Sequence, residues 1–318
     1  MTSNIIKKNL PKFKYSKILC IGDIILDKYV YGNVERISPE ASIPILLQNQ
    51  EIYQLGGMAN VARNIASVGG KVTILSMMGQ DDRSKITQKL IKKAKNISTY
   101  FVKTSKYRVP EKTRFVSKTN QLLRLDIENT NFLTSQIENI FLKKFWKIIN
   151  KFEIVIISDY QKGLLRKKSL RLIIEYCKSK NIKVLIDPKG HDFTLYKDSY
   201  LITPNLKELS SAIGQEIVNE KDLFKFGLTV LKQINLDYLV VTRSDEGITV
   251  FSKKNVKNFP SQVKEVFDVS GAGDTVIAFI ALGLSSKLSI EASVKMANHA
   301  ASIVVGKRGT AVVLKSDI

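Results

Sequence analysis

The sequence contains few of the residues that would define a metal centre or a cross-linked fold. Its 318 residues include two cysteines, Cys20 and Cys177, and two histidines. Cysteines so far apart form neither a disulfide framework nor a zinc-binding spacing, which predicts a reducing cytoplasmic location. Residues 1–16 lack the apolar segment of a signal peptide, and no hydrophobic run approaches a membrane span of about 20 residues. These absences disfavour secreted, zinc-binding and membrane-spanning proteins.

Acidic residues are also scarce relative to basic ones. The chain has 50 Lys and Arg residues against 29 Asp and Glu, which gives a formal net charge of +21. The basic residues are scattered in pairs on the polar faces of predicted helices, without interleaved exposed aromatic residues. This pattern favours a solvated lysine-rich surface over a nucleic-acid footprint, and attraction of small anionic substrates is the other interpretation. We expect no nucleic-acid partner and no membrane partner.

Short β-rich runs alternate with helical patterns along most of the chain. The runs are KILCI, VTILS, EIVIIS, KVLID, YLIT, YLVVT and ITVF. Helical periodicity marks the segments 57–68, 84–95, 134–150, 167–180 and 220–234. This alternation predicts an α/β fold with a doubly wound, mostly parallel sheet that helices cover on both faces.

Two stretches depart from this alternation. Tyr29–Leu55 and Thr99–Asp126 are rich in extended-type residues, contain prolines and show little helical period. We interpret them as strands of a small β lid that lies off the main sheet, and their open edges predict a homodimer through the lid. The chain has no repeats or long linkers, so residues 1–318 are predicted to form one domain with an inserted lid.

Polar residues follow the predicted strands where each strand ends. Five such segments come directly after apolar runs: 22–23, 158–160, 187–190, 203–205 and 242–247. Open α/β sheets bind their ligands at the carboxyl ends of the strands. Each segment alone is compatible with an ordinary turn, but the five together predict a ligand site at this edge of the sheet.

The segment DVSGAGDT, residues 268–275, places small residues and an acid directly before the apolar run VIAFIALGL. The run predicts a buried helix, whose first N–H groups lack intrahelical partners and make its start locally positive. Gly271 and Gly273 let a phosphate approach this backbone closely. Asp274 can accept the proton of a hydroxyl held in line with that phosphate, which predicts phosphoryl transfer. The chain lacks the G-x-x-x-x-G-K-[ST] motif, and the dinucleotide pattern fails at Val276.

Several segments together resemble the ribokinase/PfkB family of carbohydrate kinases. They are DVSGAGDT, GGMANVARNIASVGG (56–70), TPNLKE (203–208), VTRSDEG (241–247) and MANHAA (296–301). Within this family, GDIILDKYVYGNVERISPEA, SDYQKG and DPKG resemble the D-glycero-β-D-manno-heptose 7-phosphate kinases. The resemblance implies a ribokinase-like fold and ATP-dependent phosphorylation of that sugar phosphate at O1, in ADP-heptose synthesis for the lipopolysaccharide core.

The resemblance also assigns roles to residues. Asp274 would be the catalytic base, and the backbone of Gly271, Ala272 and Gly273 the anion hole. Nucleotide contacts would come from Asn205, Leu206, Lys207, Glu208, Thr242, Arg243, Ser244, Glu246, Gly247 and Asn298. Glu208 would meet Mg²⁺ through water, and a monovalent cation such as K⁺ would bind near Asp268. Hydroxyls of the acceptor sugar would contact Asp23, Asp27, Gly56, Gly57, Asn60 and Asp187.

A phosphorylated acceptor brings about two negative charges, which need Lys or Arg partners when they are buried. The pocket-side candidates are Lys162 in SDYQKG, Lys189 in DPKG, and Arg114 and Arg124 of the predicted lid. Each alone is compatible with an exposed surface cation. Their joint placement predicts a clamp for the distal phosphate.

Three features depart from the family pattern. Ser270 replaces the usual Thr and keeps a hydroxyl, and His299 replaces a small residue, so packing near adenine is expected to differ. The chain ends at LKSDI without an H-x-G-H element, so we expect no adenylyltransferase domain, and either a stand-alone kinase or a fragment of a fused protein. Another sugar or nucleoside kinase of this family and a catalytically inactive sugar-phosphate sensor are the alternative functions.

Overall fold

The computed structural model describes residues 3–118, 120–128, 134–263 and 265–318. Its helices are α1 (Ser3–Phe13), α2 (Met58–Ser67), α3 (Asp82–Lys93), α4 (Ser135–Ile148), α5 (Lys167–Ser179), α6 (Leu206–Ile213), α7 (Glu220–Gln233), α8 (Ala272–Ser285) and α9 (Ile290–Val305). Its strands are β1 (Ile18–Gly22), β2 (Ile24–Ile37), β3 (Pro44–Gly57), β4 (Val72–Met78), β5 (Ile97–Lys103), β6 (Glu111–Ser117), β7 (Asn120–Ile127), β8 (Ile154–Asp159), β9 (Lys183–Pro188), β10 (Leu201–Ile202), β11 (Tyr238–Thr242), β12 (Ile248–Ser252) and β13 (Val256–Phe259).

The large sheet has nine strands in the order β13-β12-β11-β10-β9-β8-β1-β4-β5. Neighbouring strands from β11 to β5 are parallel, whereas β12 and β13 are antiparallel additions at one edge. Strands β1 and β8 are buried along their whole lengths. Because successive side chains of a strand point to opposite faces, both faces of the sheet are covered. The predicted doubly wound α/β fold is therefore confirmed.

The lid is a second sheet of four strands in the order β3-β2-β6-β7. β1 ends at Gly22 and β2 begins at Ile24, so the central strand of the core leads into the lid with only Asp23 between them. The register pairs Tyr29 with Arg114 on one face, which we call the inner face of the lid. The side chain of the next residue, Phe115, points to the opposite face, which we call the outer face of the lid. Phe115 pairs with Leu123 of β7, so Leu123 belongs to the outer face as well.

The predicted start of the second lid segment at Thr99 is wrong. Thr99 lies in β5, which pairs with β4 at the edge of the large sheet, and the lid strands resume only at Glu111. ISTYFVK has the β-rich composition of an edge strand, and composition does not specify which sheet a strand joins. Thr119, within the same predicted segment, lies outside the described residues.

Two further observations concern the whole of the described chain. Among its helices, none is both long and apolar enough to cross a membrane. Cys20 and Cys177 are both buried free thiols, and burial raises the pKa of each thiol. Neither cysteine is poised as a nucleophile, because the thiolate is the reactive form.

Candidate active site

The start of α8 has the geometry of an anion site. Gly271 precedes the helix with φ at +80°, and a Cβ at this position would lie 2.6 Å from Nδ2 of Asn60. At Gly273 a Cβ would meet nothing within 4 Å, so the backbone there borders open space. The N–H of Ala272 donates to the carbonyl of Val269 at 3.2 Å. The helix start is thus open to a ligand beside Gly273, although one of the three predicted donors has an internal partner.

Asp274 lies in the first turn of α8 and is 5% exposed. Its Oδ2 accepts a 2.8 Å hydrogen bond from Nδ2 of Asn60, and its Oδ1 lies 3.4 Å from the hydroxyl of Tyr160. Burial, reinforced by the nearby charge of Asp187, raises the pKa of Asp274 to about 7. A carboxyl with a pKa near neutral is well matched to accept and return a proton.

The carboxylates predicted to contact the acceptor line the passage from the core sheet to the lid. Asp23 is 1% exposed, and its Oδ2 accepts from the backbone N–H of Lys162 at 3.1 Å. Burial raises the pKa of Asp23 to about 7. Asp27 lies four residues further on the inner face of the lid, where a Cβ at Gly56 would collide with its Oδ2. Gly56 therefore permits the close packing that positions this carboxylate.

The start of α2 faces the same space. Gly57 precedes the helix with φ at +56°, and a Cβ there would lie 2.6 Å from the carbonyl oxygen of Asp23. Asn60, in the first turn, is fully buried, and its Oδ1 has no hydrogen-bond partner among the described residues. A buried acceptor without a partner is available to a substrate hydroxyl.

A second group of charged residues lies at the ends of β9 and β10. Nζ of Lys189 donates to Asp187 at 3.0 Å and to Glu208 at 2.9 Å. Burial alone would lower the pKa of Lys189, but the two carboxylates outweigh it and raise the pKa. Glu208 and Asn205 form the capping box of α6, with reciprocal 2.8 Å hydrogen bonds. Leu206 and Lys207 occupy the first turn of that helix.

The four cations predicted to clamp a phosphate each have a carboxylate partner. Lys189 pairs as just described, Lys162 pairs with Glu128 at 2.6 Å, and Arg124 pairs with Asp126 at 2.9 Å. Arg114 donates to Asp27 at 2.6 Å. Arg114 and Lys189 lie beside carboxylates predicted to contact the acceptor, Asp27 and Asp187, whereas Lys162 and Arg124 do not, so the four cations are held by different carboxylates.

A cavity of about 560 Å³ adjoins the other side of the α8 start. It brings together six of the predicted residues: Thr242, Ser244, Gly247, Ala272, Gly273 and Asn298. Its remaining wall is largely apolar and was missed by the sequence analysis: Val263, Val266, Val269, Val276, Ala301 and Val305. A mostly apolar wall with a few polar groups suits a nucleoside base and ribose.

Arg243 and Glu246 do not line this cavity. Their side chains form an ion pair with each other, and Arg243 also donates to the hydroxyl of Thr249 at 3.1 Å. Their contacts hold the turn between β11 and β12. Asn298, which does line the cavity, donates to the carbonyl of Pro260 at 2.7 Å and so fixes the segment after β13.

Asp268 links the loop before α8 to the loop after α9. Its Oδ1 accepts from the N–H of Ser270 at 2.8 Å, and its Oδ2 accepts from the N–H of Gly309 at 3.0 Å. Both hydrogen bonds are made by backbone groups, so the carboxylate joins the two loops.

His299 lies with Nδ1 3.1 Å from Oε1 of Gln262.

Tyr160 is a neighbour of Asp274 that the sequence analysis did not select. It follows Asp159 in the SDYQKG segment, and Nζ of Lys189 lies 5.6 Å from the centre of its ring. Burial raises the pKa of its hydroxyl well above the usual value, so the group is a neutral donor beside Asp274. Its position directly after β8 is the signal that could have identified it.

Comparison with known proteins agrees with this geometry. The pfkB family carbohydrate kinase model matches residues 16–317. A bifunctional protein HldE from Helicobacter hepaticus is 40% identical over 306 residues, with 96% of this chain and 63% of the relative covered. Another HldE, from Sulfurimonas denitrificans, is 39% identical over 303 residues, with 95% of this chain and 63% of the relative covered. The chain thus spans less than two thirds of the length of these relatives.

Solved structures show the same fold. Escherichia coli phosphofructokinase-2 in complex with substrates and products superposes with a TM-score of 0.81 at 20% identity, over 95% of this chain and 96% of that one. Ribokinase from Thermotoga maritima superposes with a TM-score of 0.73 at 19% identity, over 95% and 97%.

A buried carboxylate at an open helix start, with further buried carboxylates and a separate cavity nearby, fits a phosphotransferase that acts on a hydroxyl group. The match over nearly the whole chain makes the identification more specific. The chain belongs to the pfkB family of carbohydrate kinases and is a sugar kinase with a ribokinase-like fold. Membership in this family implies ATP as the phosphate donor and a divalent metal ion.

Proposed function

We propose that this kinase transfers the γ-phosphoryl group of ATP to O1 of D-glycero-β-D-manno-heptose 7-phosphate, giving the 1,7-bisphosphate for ADP-heptose synthesis and the lipopolysaccharide core. The position of Asp274 carries the phosphotransfer part of the proposal, because this carboxylate stands between the acceptor-side carboxylates and the cavity beside Gly273. The heptose is supported by the subfamily resemblance of the N-terminal stretch, SDYQKG and DPKG.

Proton transfer is the chemistry that Asp274 would perform. With its pKa raised to about 7 by burial, its ionised form is well populated at neutral pH. The carboxylate takes the proton of the O1 hydroxyl while that oxygen forms a bond to the γ-phosphorus and the bond from phosphorus to the leaving ADP oxygen breaks. Asn60 holds the carboxylate in place, and the N–H groups at the start of α8 stabilise negative charge on the phosphoryl oxygens.

The charged cluster at the ends of β9 and β10 fits the divalent metal. Oδ2 of Asp187 is buried and has no hydrogen-bond partner among the described residues, so it is available to a metal-bound water. We propose that Glu208 and Asp187 hold Mg²⁺ through water and that Lys189 keeps the site from excess negative charge. When bound, Mg²⁺ neutralises the donor phosphates.

A monovalent cation is proposed beside Asp268. The carboxylate there joins two loops through the N–H groups of Ser270 and Gly309, and one relative in fold, Escherichia coli phosphofructokinase-2, has a structure in complex with potassium. Turnover assays in K⁺ against tetramethylammonium would test this site, and equal rates would contradict it.

We also propose a homodimer through the outer face of the lid. Leu123, Leu125 and Ile127 alternate along β7 on that face, and their exposed fractions are 60%, 47% and 42%. An apolar row of this kind beside an open sheet edge is typical of a protein interface. Light scattering should give a dimer that Leu123→Glu and Leu125→Glu dissociate, whereas a monomeric parent protein would contradict the proposal.

The two unpaired cysteines support a reducing, cytoplasmic setting.

A ³¹P NMR panel tests the substrate directly. Heptose 7-phosphate, ribose, fructose, fructose 6-phosphate and adenosine are each incubated with ATP and Mg²⁺. The proposal predicts an anomeric phosphate signal with the heptose phosphate, and unphosphorylated acceptors slower by a factor on the order of 10². Faster turnover of a neutral sugar or a nucleoside would favour another kinase of the family. No consumption of ATP with any of the five acceptors would favour a sensor.

A further inference from the structure

A second cavity, of about 270 Å³, lies between the inner face of the lid and the loop after α9. Residues of β2, β6 and β7, together with Lys118, form one wall, and residues 267, 268, 270, 308 and 309 form the other. Ser270 lines this cavity, whereas Val269 and Ala272 line the nucleotide-side cavity. The two cavities therefore lie on opposite sides of the DVSGAGDT loop.

The second cavity is rich in cationic side chains. Arg114, Lys118 and Arg308 line it, against the single carboxylate of Asp268. Arg114 is already paired with Asp27 and lies 5.1 Å from the ring centre of Tyr29. In the described part of the chain, neither Lys118 nor Arg308 has a carboxylate within ion-pair distance. These two cations leave positive charge available for an anionic ligand.

Tyr29 provides an independent indication of a ligand. Its side chain lines the cavity and is 4% exposed, and its hydroxyl has no hydrogen-bond partner among the described residues. Leaving a buried hydroxyl without a partner costs free energy, so such groups usually face a ligand or water. Burial raises the pKa of Tyr29 to about 12, so at neutral pH the hydroxyl is a donor and suits a phosphate oxygen.

We propose that this cavity binds the phosphate that the acceptor sugar already carries, through Arg308, Lys118 and the hydroxyl of Tyr29. The inference rests on the proposed function and assigns the contacts that select a phosphorylated acceptor. Arg114 connects the two sites, because it contacts Asp27 at 2.6 Å and also lines the cavity. A sugar with its middle hydroxyls at Asp27 would therefore lie next to Arg114, which lines the cavity together with Arg308.

This assignment differs from the one that the sequence suggested. Lys162, Lys189 and Arg124 are neutralised by carboxylates, so an incoming phosphate would have to displace an existing partner. Arg308 and Lys118 require no such exchange. Specificity for a phosphorylated sugar is then produced by the lid and the loop after α9 together, since neither wall alone encloses the cavity.

The test compares Arg308→Gln with Arg108→Gln, a matched variant at an exposed arginine in the loop before β6 that does not line the cavity. For each, kcat/KM is measured with heptose 7-phosphate and with the unphosphorylated heptose, and binding of the sugar phosphate is measured by calorimetry. Arg308→Gln should lower kcat/KM for the phosphorylated sugar by about 10- to 100-fold, mostly through KM, and leave the unphosphorylated sugar within about twofold. Arg108→Gln should change neither.

Tyr29→Phe provides a second variant with little effect on volume. It should lower kcat/KM for the phosphorylated acceptor by about 5- to 10-fold and leave kcat/KM for the unphosphorylated acceptor unchanged. The inference would be overturned if Arg308→Gln lowered kcat/KM equally for both sugars. It would also be overturned if Arg108→Gln lowered kcat/KM for the phosphorylated sugar as much as Arg308→Gln does.

The outcomes also separate this inference from the proposed substrate. If the parent enzyme prefers a different phosphorylated sugar, the heptose proposal fails, and the inference stands when Arg308→Gln removes that preference. A parent enzyme with no preference for phosphorylated acceptors overturns the inference. Inorganic phosphate should compete with the sugar phosphate, and inhibition by phosphate that is not competitive would instead indicate a regulatory anion site and overturn the assignment.

Discussion

The side-chain amide of Asn60 donates a 2.8 Å hydrogen bond to Oδ2 of Asp274 and joins the first turns of two helices that are 214 residues apart in the chain. A hydrogen bond to a carboxylate favours its ionised form, so this contact lowers the pKa of Asp274 while burial raises it. The amide therefore helps to keep the base near neutral pKa.

Removing that amide should change the pH dependence of the reaction. Asn60→Ala deletes the donor, so the pKa of Asp274 should rise and the acidic limb of kcat/KM should move to higher pH. Profiles between pH 5.5 and about 9 would measure the shift. Asn64→Ala is the control, because Asn64 accepts from the hydroxyl of Thr275 at 3.1 Å, whereas the carboxylate of Asp274 is hydrogen-bonded to Asn60 and Tyr160. A limb that stays in place for Asn60→Ala would contradict the coupling.

Replacing the base itself should separate binding from chemistry. Asp274→Asn keeps the size of the side chain and removes its basicity, so turnover should fall by about 10²- to 10⁴-fold. Affinity for the nucleotide, measured by calorimetry, should stay within a few-fold of the parent value. Turnover close to that of the parent enzyme would exclude Asp274 as the base.

The same variant should alter the pH dependence of stability. In the unfolded chain the carboxyl titrates near 3.8 and in the folded protein near 7, so folding favours its protonated form. The stability gained from this difference is complete below pH 3.8 and is lost as pH rises toward 7. Asp274→Asn cannot ionise, so its melting temperature relative to the parent protein should increase between pH 5 and pH 8. Scanning calorimetry measures the difference in melting temperature between the variant and the parent protein. A difference that stays constant across this pH range would be evidence against the raised pKa.

The two glycines at the start of α8 should respond differently to substitution. Gly273→Val points into open space, so the fold and sugar affinity should persist while turnover collapses, because the side chain occupies the place of the phosphoryl group. Gly271→Val imposes φ at +80° on a β-branched residue and collides with Asn60, which should destabilise the protein by about 1–3 kcal/mol. Urea unfolding and steady-state kinetics distinguish the two, and normal turnover of Gly273→Val would contradict the anion site.

Local patterns were sufficient for much of the fold. The apolar runs that became β1, β8 and β9 and the helix after DVSGAGDT were predicted because hydrophobic periodicity is a property of neighbouring residues. The assignment of β5 to the large sheet was missed because strand pairing depends on distant residues. Helix α9 was not predicted as an element, since its many small residues blur the apolar period.

The candidate site was predictable to a similar degree. Asp274 and the glycines before it stand in one short segment, so their chemistry can be inferred from spacing. The contacts of Asn60 and Tyr160 with Asp274 span 214 and 114 residues, and no local pattern predicts them. Arg308 gave no signal, because an exposed arginine in a loop resembles any other surface cation until the lid is seen opposite it.

Because β1 leads directly into β2 at Asp23, a small rotation of the backbone there would displace the far end of the lid by a larger distance. Strand β2 has 14 residues, so its far end lies at most about 45 Å from this point, and a rotation of about 10° there would move that end by about 8 Å. The relation also works in reverse: a force on the tip of the lid acts on the backbone at Asp23 with a large mechanical advantage. A second subunit that binds the tip would therefore move Asp27, which β2 carries, relative to Asp274 in the core.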